Sequence, residues 1–511
     1  MSEPHVPPIA ATNGGPRRAL VLAGGGMRVA YQAGVVRALA DAGLRFHHVD
    51  GTSGGTMNTA MLLSGLSPAE ACARWTSLDV KKFASFMPLK EYADPLHAQA
   101  LGTADGIRRH VYPHLGIDVA RMNAATGIEG TFNVCNYTRK TVEAWTHDRV
   151  DMDLLVAAIS IPIFMPAVQK DGATYTDAMW IKDANLLEAV RRGAEELWLV
   201  WCIGNHARYL PGAFNQYIHM MEMSANGALF DELRQIDELN ARIRAGERPH
   251  GLTRPVRLHV VRPEYPLPLD PDFFLGRITA ATLVAMGHAD AVRYLATMSP
   301  HGLPLTPEVT QMSTTTSPGI QFSEVMKGGF ALGETDPEAG RARGAREGTQ
   351  LAMHATVSVP DLDAFLADRD HTGTLVGSID FASWGTGIPT GQGVFNLFKP
   401  GGADTKLMVY ELPFQHGGES YYLAGVKRVK DDRGLDMWSD TTTLFTRLHR
   451  GTDATGEVVG AGVLTLGAGD FATVLKGIHV TGADGLGERA AAIARFGKFF
   501  SGELWDTYGI G

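Results

Sequence analysis

The run Ala19-Leu20-Val21-Leu22 is apolar without alternation and stops at Gly24-Gly25-Gly26. It reads as a short strand buried on both faces. From Val29 to Ala42 apolar residues recur at helical spacing, and Gly43 supplies a stop. Val49-Asp50-Gly51-Thr52-Ser53-Gly54-Gly55 follows, and Met57–Leu66 predicts a second helix. Strand, glycine turn, helix, strand, tight turn, helix is the order of a parallel sheet covered by helices. Further strands are expected at Thr131–Asn136, Leu197–Ile203 and Leu258–Val261, the second apolar enough to be central. Pro211–Arg244 and Ala280–Leu295 read as helices.

The pattern changes near Gln311–Pro318, which is rich in Ser and Thr and ends in proline. Beyond it, short runs such as Leu407–Leu412, Tyr421–Val429, Thr443–Leu448 and Val458–Leu466 alternate with glycine and charged turns. Asp431-Asp432-Arg433-Gly434 is a hairpin signal between two of them, and a helix is expected near Gly487–Phe500. The chain therefore divides into a flexible N-terminus (1–17), an α/β domain (18–310), a linker (311–320) and a β-rich barrel or sandwich (321–511).

Composition narrows the class. With 511 residues, 45% hydrophobic, the chain can bury large cores and is not a disordered protein. A net charge of −9 argues against a general nucleic-acid binder. Cys72, Cys135 and Cys202 are too few and too far apart for a disulfide framework or a cysteine-rich zinc site, and a reducing compartment is expected. Residues 1–16 lack the charged and then apolar pattern of a Sec signal peptide. Leu154–Val168 is the most apolar internal run, but it is too short to cross a bilayer and contains Pro162 and Pro166. The expectation is a cytoplasmic protein, with peripheral membrane contact or export by a route other than Sec left open.

Gly51-Thr52-Ser53-Gly54-Gly55 is a G-x-S-x-G pattern between a strand and a helix, the context of a nucleophile elbow. Such a turn lifts the Ser53 hydroxyl off the sheet and aims the next helix's N-terminus at the reacting oxygen. Gly24-Gly25-Gly26-Met27-Arg28 also lies between strand and helix. Val29 breaks a G-x-G-x-x-G fingerprint, and no Gly-Lys-Ser/Thr follows, so no dinucleotide or P-loop site is expected. What is left is a cradle of backbone N–H groups fit for an oxyanion. In a parallel sheet both turns lie at the carboxyl ends of their strands and face one crevice. For the base, Asp171, Asp177, Asp183, His206, His219 and His259 are candidates, and spacing does not choose among them. No metal or cofactor is called for: H-E-x-x-H and calcium-loop patterns are absent, and His110 and His114, with Pro113 between them, read as surface residues. The Met220, Met221, Met223 cluster reads as core, or else as a lid or acyl pocket. Lys427, Arg428 and Lys430 beside Tyr421 and Tyr422 read as a solvated strand edge, or else a face for anionic headgroups.

Leu22-Ala-Gly-Gly-Gly-Met-Arg-Val-Ala-Tyr-Gln-Ala-Gly-Val-Val-Arg-Ala-Leu39 resembles the opening of patatin-like phospholipases, and Gly51–Gly55 is similar to their elbow. Ser160–Val168 followed by Tyr175-Thr176-Asp177-Ala178 resembles the segment carrying the family's aspartate. The order of Asn185-Leu186, Leu197–Ile203, Tyr265–Leu269 and Gly287–Ala291 is also similar, so the resemblance spans roughly residues 18–300. It implies a three-layer α/β/α fold and a Ser53–Asp177 dyad. Gly24, Gly25, Gly26 and Arg28 would form the oxyanion region, with Gly51, Gly54 and Gly55 shaping the elbow. The chain departs from the family in two places: Val29 stands where a glycine is usual, and the usual Asp-Gly phrase is split between Asp171-Gly172-Ala173 and Asp177-Ala178. Asp177 is preferred for its place after Tyr175. The resemblance implies a metal-free lipid acyl hydrolase acting through an acyl-enzyme. A general esterase or thioesterase, or a non-catalytic lipid-binding protein, are the alternatives.

Overall fold

A computed structural model describes the chain except residues 1–2, 13, 84, 86–98, 206–208, 210, 269–277, 316, 403–404, 431–440, 468–473, 475–476, 484 and 509–511. The Asp431–Gly434 turn and His206 fall outside the described residues. Two compact units result, one from residues 1–275 and 279–313, the other chiefly from 314–511.

In the first unit β1 (Arg18–Leu22), β2 (His48–Thr52), β3 (Glu129–Asn136), β7 (Glu196–Val200) and β8 (Arg257–Val261) run parallel in the order β3-β2-β1-β7-β8. Three short strands make the antiparallel end: β4 (Thr141–Thr146), β5 (Val168–Lys170) and β6 (Ala173–Asp177). The β1 and β7 runs are apolar because helices cover both faces. Ala19, Val21, Leu197, Leu199, Leu258 and Val260 pack on one face against the long helix α4 (Ala213–Arg244) through Leu229, Leu233 and Ile236. The other helices numbered here are α1 (Ala30–Asp41), α2 (Gly55–Leu63), α3 (Pro68–Ser77) and α5 (Ala280–Thr297). A β-carbon on Gly34 of α1 would strike the Val284 carbonyl oxygen, and one on Gly287 of α5 that of Tyr31. Two facing glycines thus let α1 and α5 touch backbone to backbone. This unit is the α/β/α architecture expected.

The second unit resolves the choice between barrel and sandwich. Strands β9 (Gly319–Leu332), β10 (Gln350–Val359), β11 (Thr372–Phe381), β13 (Gly393–Pro400), β14 (Thr405–His416), β15 (Glu419–Lys430), β16 (Thr443–Arg450) and β17 (Glu457–Thr465) form a continuous antiparallel ladder, and β9 pairs with both β10 and β17. An eight-stranded sheet closed on itself has no free edge. Short β12 (Gly385–Pro389) and β18 (His479–Thr481) join its margins. Its interior holds Met326, Phe330, Leu351, Phe395, Tyr410, Leu412 and Leu448. A C-terminal helix, Leu486–Tyr508, adds Ala492 and Phe496 to the same core.

Closure overturns the reading of Lys427 as a solvated edge or headgroup contact. Strand β15 has a partner on each side, and its alternation points Lys427 inward, 1% exposed, while Arg428 faces out. Lys427 Nζ donates to Tyr410 Oη at 3.1 Å and lies 3.7 Å from Glu324 Oε2.

Candidate active site

Strand β2 ends at Thr52, paired with Asn133 of β3. The next residue, Ser53, has φ +51°, a left-handed conformation that costs a non-glycine residue on the order of 1–2 kcal/mol. Its neighbours are glycine for lack of space. A β-carbon on Gly54 would lie 2.6 Å from the Gly26 carbonyl oxygen, one on Gly51 2.5 Å from Thr59 Oγ1, and one on Gly55 would strike the Leu22 carbonyl. Helix α2 starts at Gly55, so its N-terminus lies directly behind the serine.

Strand β3 continues past the end of β2. Its residues Val134–Asn136 pair with β6 running the opposite way, with Val134 opposite Asp177. Register therefore puts Asp177 in line with β2, just beyond the serine turn. Ser53 Oγ donates to Asp177 Oδ2 at 2.7 Å, and Met179 N–H donates to Oδ1 at 2.9 Å. Both residues are buried. Burial pushes the Asp177 carboxyl up to about 7, with the Ser53 and Met179 hydrogen bonds opposing. A carboxyl with that affinity is suited to exchange a proton near neutral pH.

Of the remaining base candidates, Asp171, His219 and His259 lie elsewhere. Asp171 sits in the exposed β5–β6 turn at φ +50°, 3.9 Å from Lys170 Nζ. His259 bonds Tyr294 and stacks on Trp198, and His219 contacts Glu222 and the Tyr209 ring. Asp183 is fully buried beside the glycine loop.

That loop is held by polar side chains. Gln32 Nε2 donates to Ala23 O at 2.5 Å, Asn58 Nδ2 to Val29 O at 2.9 Å, and Arg28 Nε to Gly25 O at 2.9 Å. Gly26 has φ +59°, open to glycine at little cost. Two of the four expected oxyanion groups have their N–H already taken: Gly24 on Asp183 O and Arg28 on Gly25 O. Among the described residues the N–H groups of Gly25 and Gly26 have no acceptor.

A buried network under the elbow went unread in the sequence. Asp50 accepts from Thr131 Oγ1 at 2.5 Å and Asn133 Nδ2 at 2.8 Å; Asn133 also reaches Gly51 O and Thr52 Oγ1, and Asn185 Nδ2 donates to Asn133 Oδ1 at 2.7 Å. Polar residues alternating through otherwise apolar strands, at 50, 131 and 133, were the available signal.

Beside the site, Tyr217 of α4 packs edge-on against Phe164 and Trp180. Ile163, Phe164, Ile181, Phe214, Met220 and Met223 are exposed on these same segments. Met220 and Met223 are thus not core residues, since α4 turns them outward, while Met221 is half-buried. Among the described residues no helix is long and apolar enough to cross a membrane, and no His/Cys/Asp/Glu cluster has the arrangement of a metal site.

Residues 20–190 match the family model of patatin-like phospholipases. Comparison with curated proteins finds no match. Among solved structures, the crystal structure of VipD from Legionella pneumophila aligns over 58% of this chain and 71% of its own, at 12% identity and a TM-score of 0.30. The glycine loop, the serine turn and β6 all fall inside the matched residues, so residues 20–190 carry a patatin-like phospholipase domain.

Proposed function

We propose that the first unit hydrolyses carboxylic esters of lipids with Ser53 as nucleophile and Asp177 as base. The observation that carries this reading is the 2.7 Å hydrogen bond from the Ser53 hydroxyl to a buried carboxyl at the carboxyl ends of the parallel strands. Ionised Asp177 takes the hydroxyl proton as Ser53 Oγ attacks the acyl carbon. The carbonyl oxygen becomes an oxyanion facing the N–H groups of Gly25 and Gly26; each such donor is worth about 3 kcal/mol in the transition state. Protonated Asp177 passes its proton to the departing alcohol, leaving an acyl-enzyme. Water, deprotonated by the same carboxylate, then releases the acid and restores the serine. The exposed apolar side chains around Tyr217 support a lipid substrate met at a bilayer surface, since they would shelter acyl chains from water.

The test compares wild type, Ser53→Ala and Asp177→Asn on a chromogenic short ester and on phospholipid vesicles. Wild type should release acid from both, and each variant should lose on the order of 10³-fold or more in kcat. Equal rates for the three chains would remove the dyad. Turnover of the dissolved ester without release from vesicles would favour a general esterase.

A further inference from the structure

Asp183 is six residues past Asp177, is fully buried, and has no part in the steps above. Its backbone carbonyl accepts from Gly24 N–H at 3.2 Å, which ties residue 183 to the glycine loop. Its carboxyl reaches the nucleophile's side of that loop: a β-carbon on Gly24 would run into Asp183 Oδ1 and come within 2.9 Å of Ser53 Cβ. Carboxyl and nucleophile thus close on the same point against Gly24 and fill it between them. Neither carboxyl oxygen has a hydrogen-bond partner among the described residues, and neither has Nη1 of the buried Arg28. Leaving buried polar groups unpartnered costs stability. Beside a nucleophile, a partner that arrives with the substrate would relieve that cost.

We propose that Asp183 is a further catalytic residue, its carboxyl donating a hydrogen bond to the acyl oxygen of the bound ester beside the N–H groups of Gly25 and Gly26. The inference rests on the Ser53–Asp177 reading. Donation needs the neutral acid. Burial and the charge on Asp177 hold Asp183 well above the carboxylate range, against the opposing pull of Arg28 and the Gly24 N–H. Cys202 is the other titratable group in its field, and burial pushes that thiol up to about 12, so it adds no charge near neutral pH. The O–H···O contact strengthens as negative charge grows on the acyl oxygen, so its effect falls on kcat more than on KM. No proton is transferred: Asp183 keeps it through both half-reactions.

The experiment uses the full chain and the chromogenic ester, with Asp183→Asn, Asp183→Ala and Ser53→Ala. Asparagine retains a donor of the same size that does not titrate. Asp183→Ala should lower kcat on the order of 100-fold with KM changed only a few-fold, while Asp183→Asn stays within about 10-fold of wild type. Wild-type kcat should fall at alkaline pH as Asp183 ionises, and Asp183→Asn should lack that fall. Wild-type kcat in Asp183→Ala overturns the proposal; so does an Asp183→Asn chain as impaired as the alanine chain, or one that keeps the alkaline fall. Thermal melting checks that each variant folds; if the alanine chain does not, the asparagine pH profile decides alone. Wild-type activity no higher than that of Ser53→Ala overturns the dyad itself, read without any Asp183 variant.

Discussion

Asp177 answers to two opposing demands. Burial favours its proton, whereas a base must give it up. With its carboxyl near 7, against an ordinary 3.8, about half the molecules carry the ionised base at neutral pH. The kcat of the wild-type chain should therefore rise with pH through a midpoint near 7. The same shift has a stability consequence. A carboxyl whose folded-state affinity for protons exceeds its unfolded one stabilises the fold at low pH, and that contribution is lost as pH rises from about 4 to about 7. Three units correspond to an upper limit of ~4 kcal/mol. Asp177→Asn removes the titration, so its urea midpoint should gain on wild type across that window and exceed it at pH 8. Asp50 and Asp183, buried in both chains, titrate in both, so the difference reports mainly position 177. A constant difference between the two chains from pH 4 to 8 would contradict the burial argument. At this scale the proposed nucleophile was legible, because a serine in the left-handed region needs small neighbours and leaves a G-x-S-x-G trace. Spacing did not choose the proposed base, since Asp171, Asp177 and Asp183 all lie within thirteen residues and strand register separates them; only the resemblance pointed to Asp177.

Elements place the chemistry through register and close approach. Strand β6 reaches Ser53 because β3 outruns β2, a fact of strand length that no local pattern announces. The parallel core was readable, since its apolar runs follow from burial on both faces. The antiparallel strands β4, β5 and β6 were not, being short, with β4 and β5 at most half-buried. Helix contacts make a testable contrast between glycines. A β-carbon on Gly287 would strike the Tyr31 carbonyl, and backbone cannot swing aside as a flexible side chain does. On Gly227, exposed in the middle of α4, it would meet nothing within 4 Å. Gly287→Ala should thus destabilise the chain by about 3 kcal/mol through overpacking, and Gly227→Ala should stabilise it by up to ~1 kcal/mol through helix propensity. Denaturant midpoints of the two variants moving the same way would contradict the close helix crossing.

For the molecule as a whole, the observation that matters is that each compact unit buries apolar side chains of its own. An apolar cluster of the first unit runs from Ala19 to Val309, and one of the second from Ile320 to Phe496. The β-rich half was visible as alternation in the long strands after residue 400. Closure was not visible, because it depends on β9 and β17 meeting across more than a hundred residues, and Lys427 was misplaced as a result. Cooperative unfolding follows shared burial, so two separate cores should melt as two transitions. Scanning calorimetry with one core variant from each unit tests this. Phe330→Ala empties space inside the barrel, and Leu199→Ala does so beneath α4; both residues are fully buried. Each truncation should cost its own unit roughly 2–5 kcal/mol. That lowers one transition on the order of 10 °C and leaves the other within a degree or two. A single transition displaced by either change would mean that the two cores fold as one. Ester hydrolysis should then be lost along with the barrel's melting, whereas two independent cores predict activity that survives until the α/β unit itself unfolds.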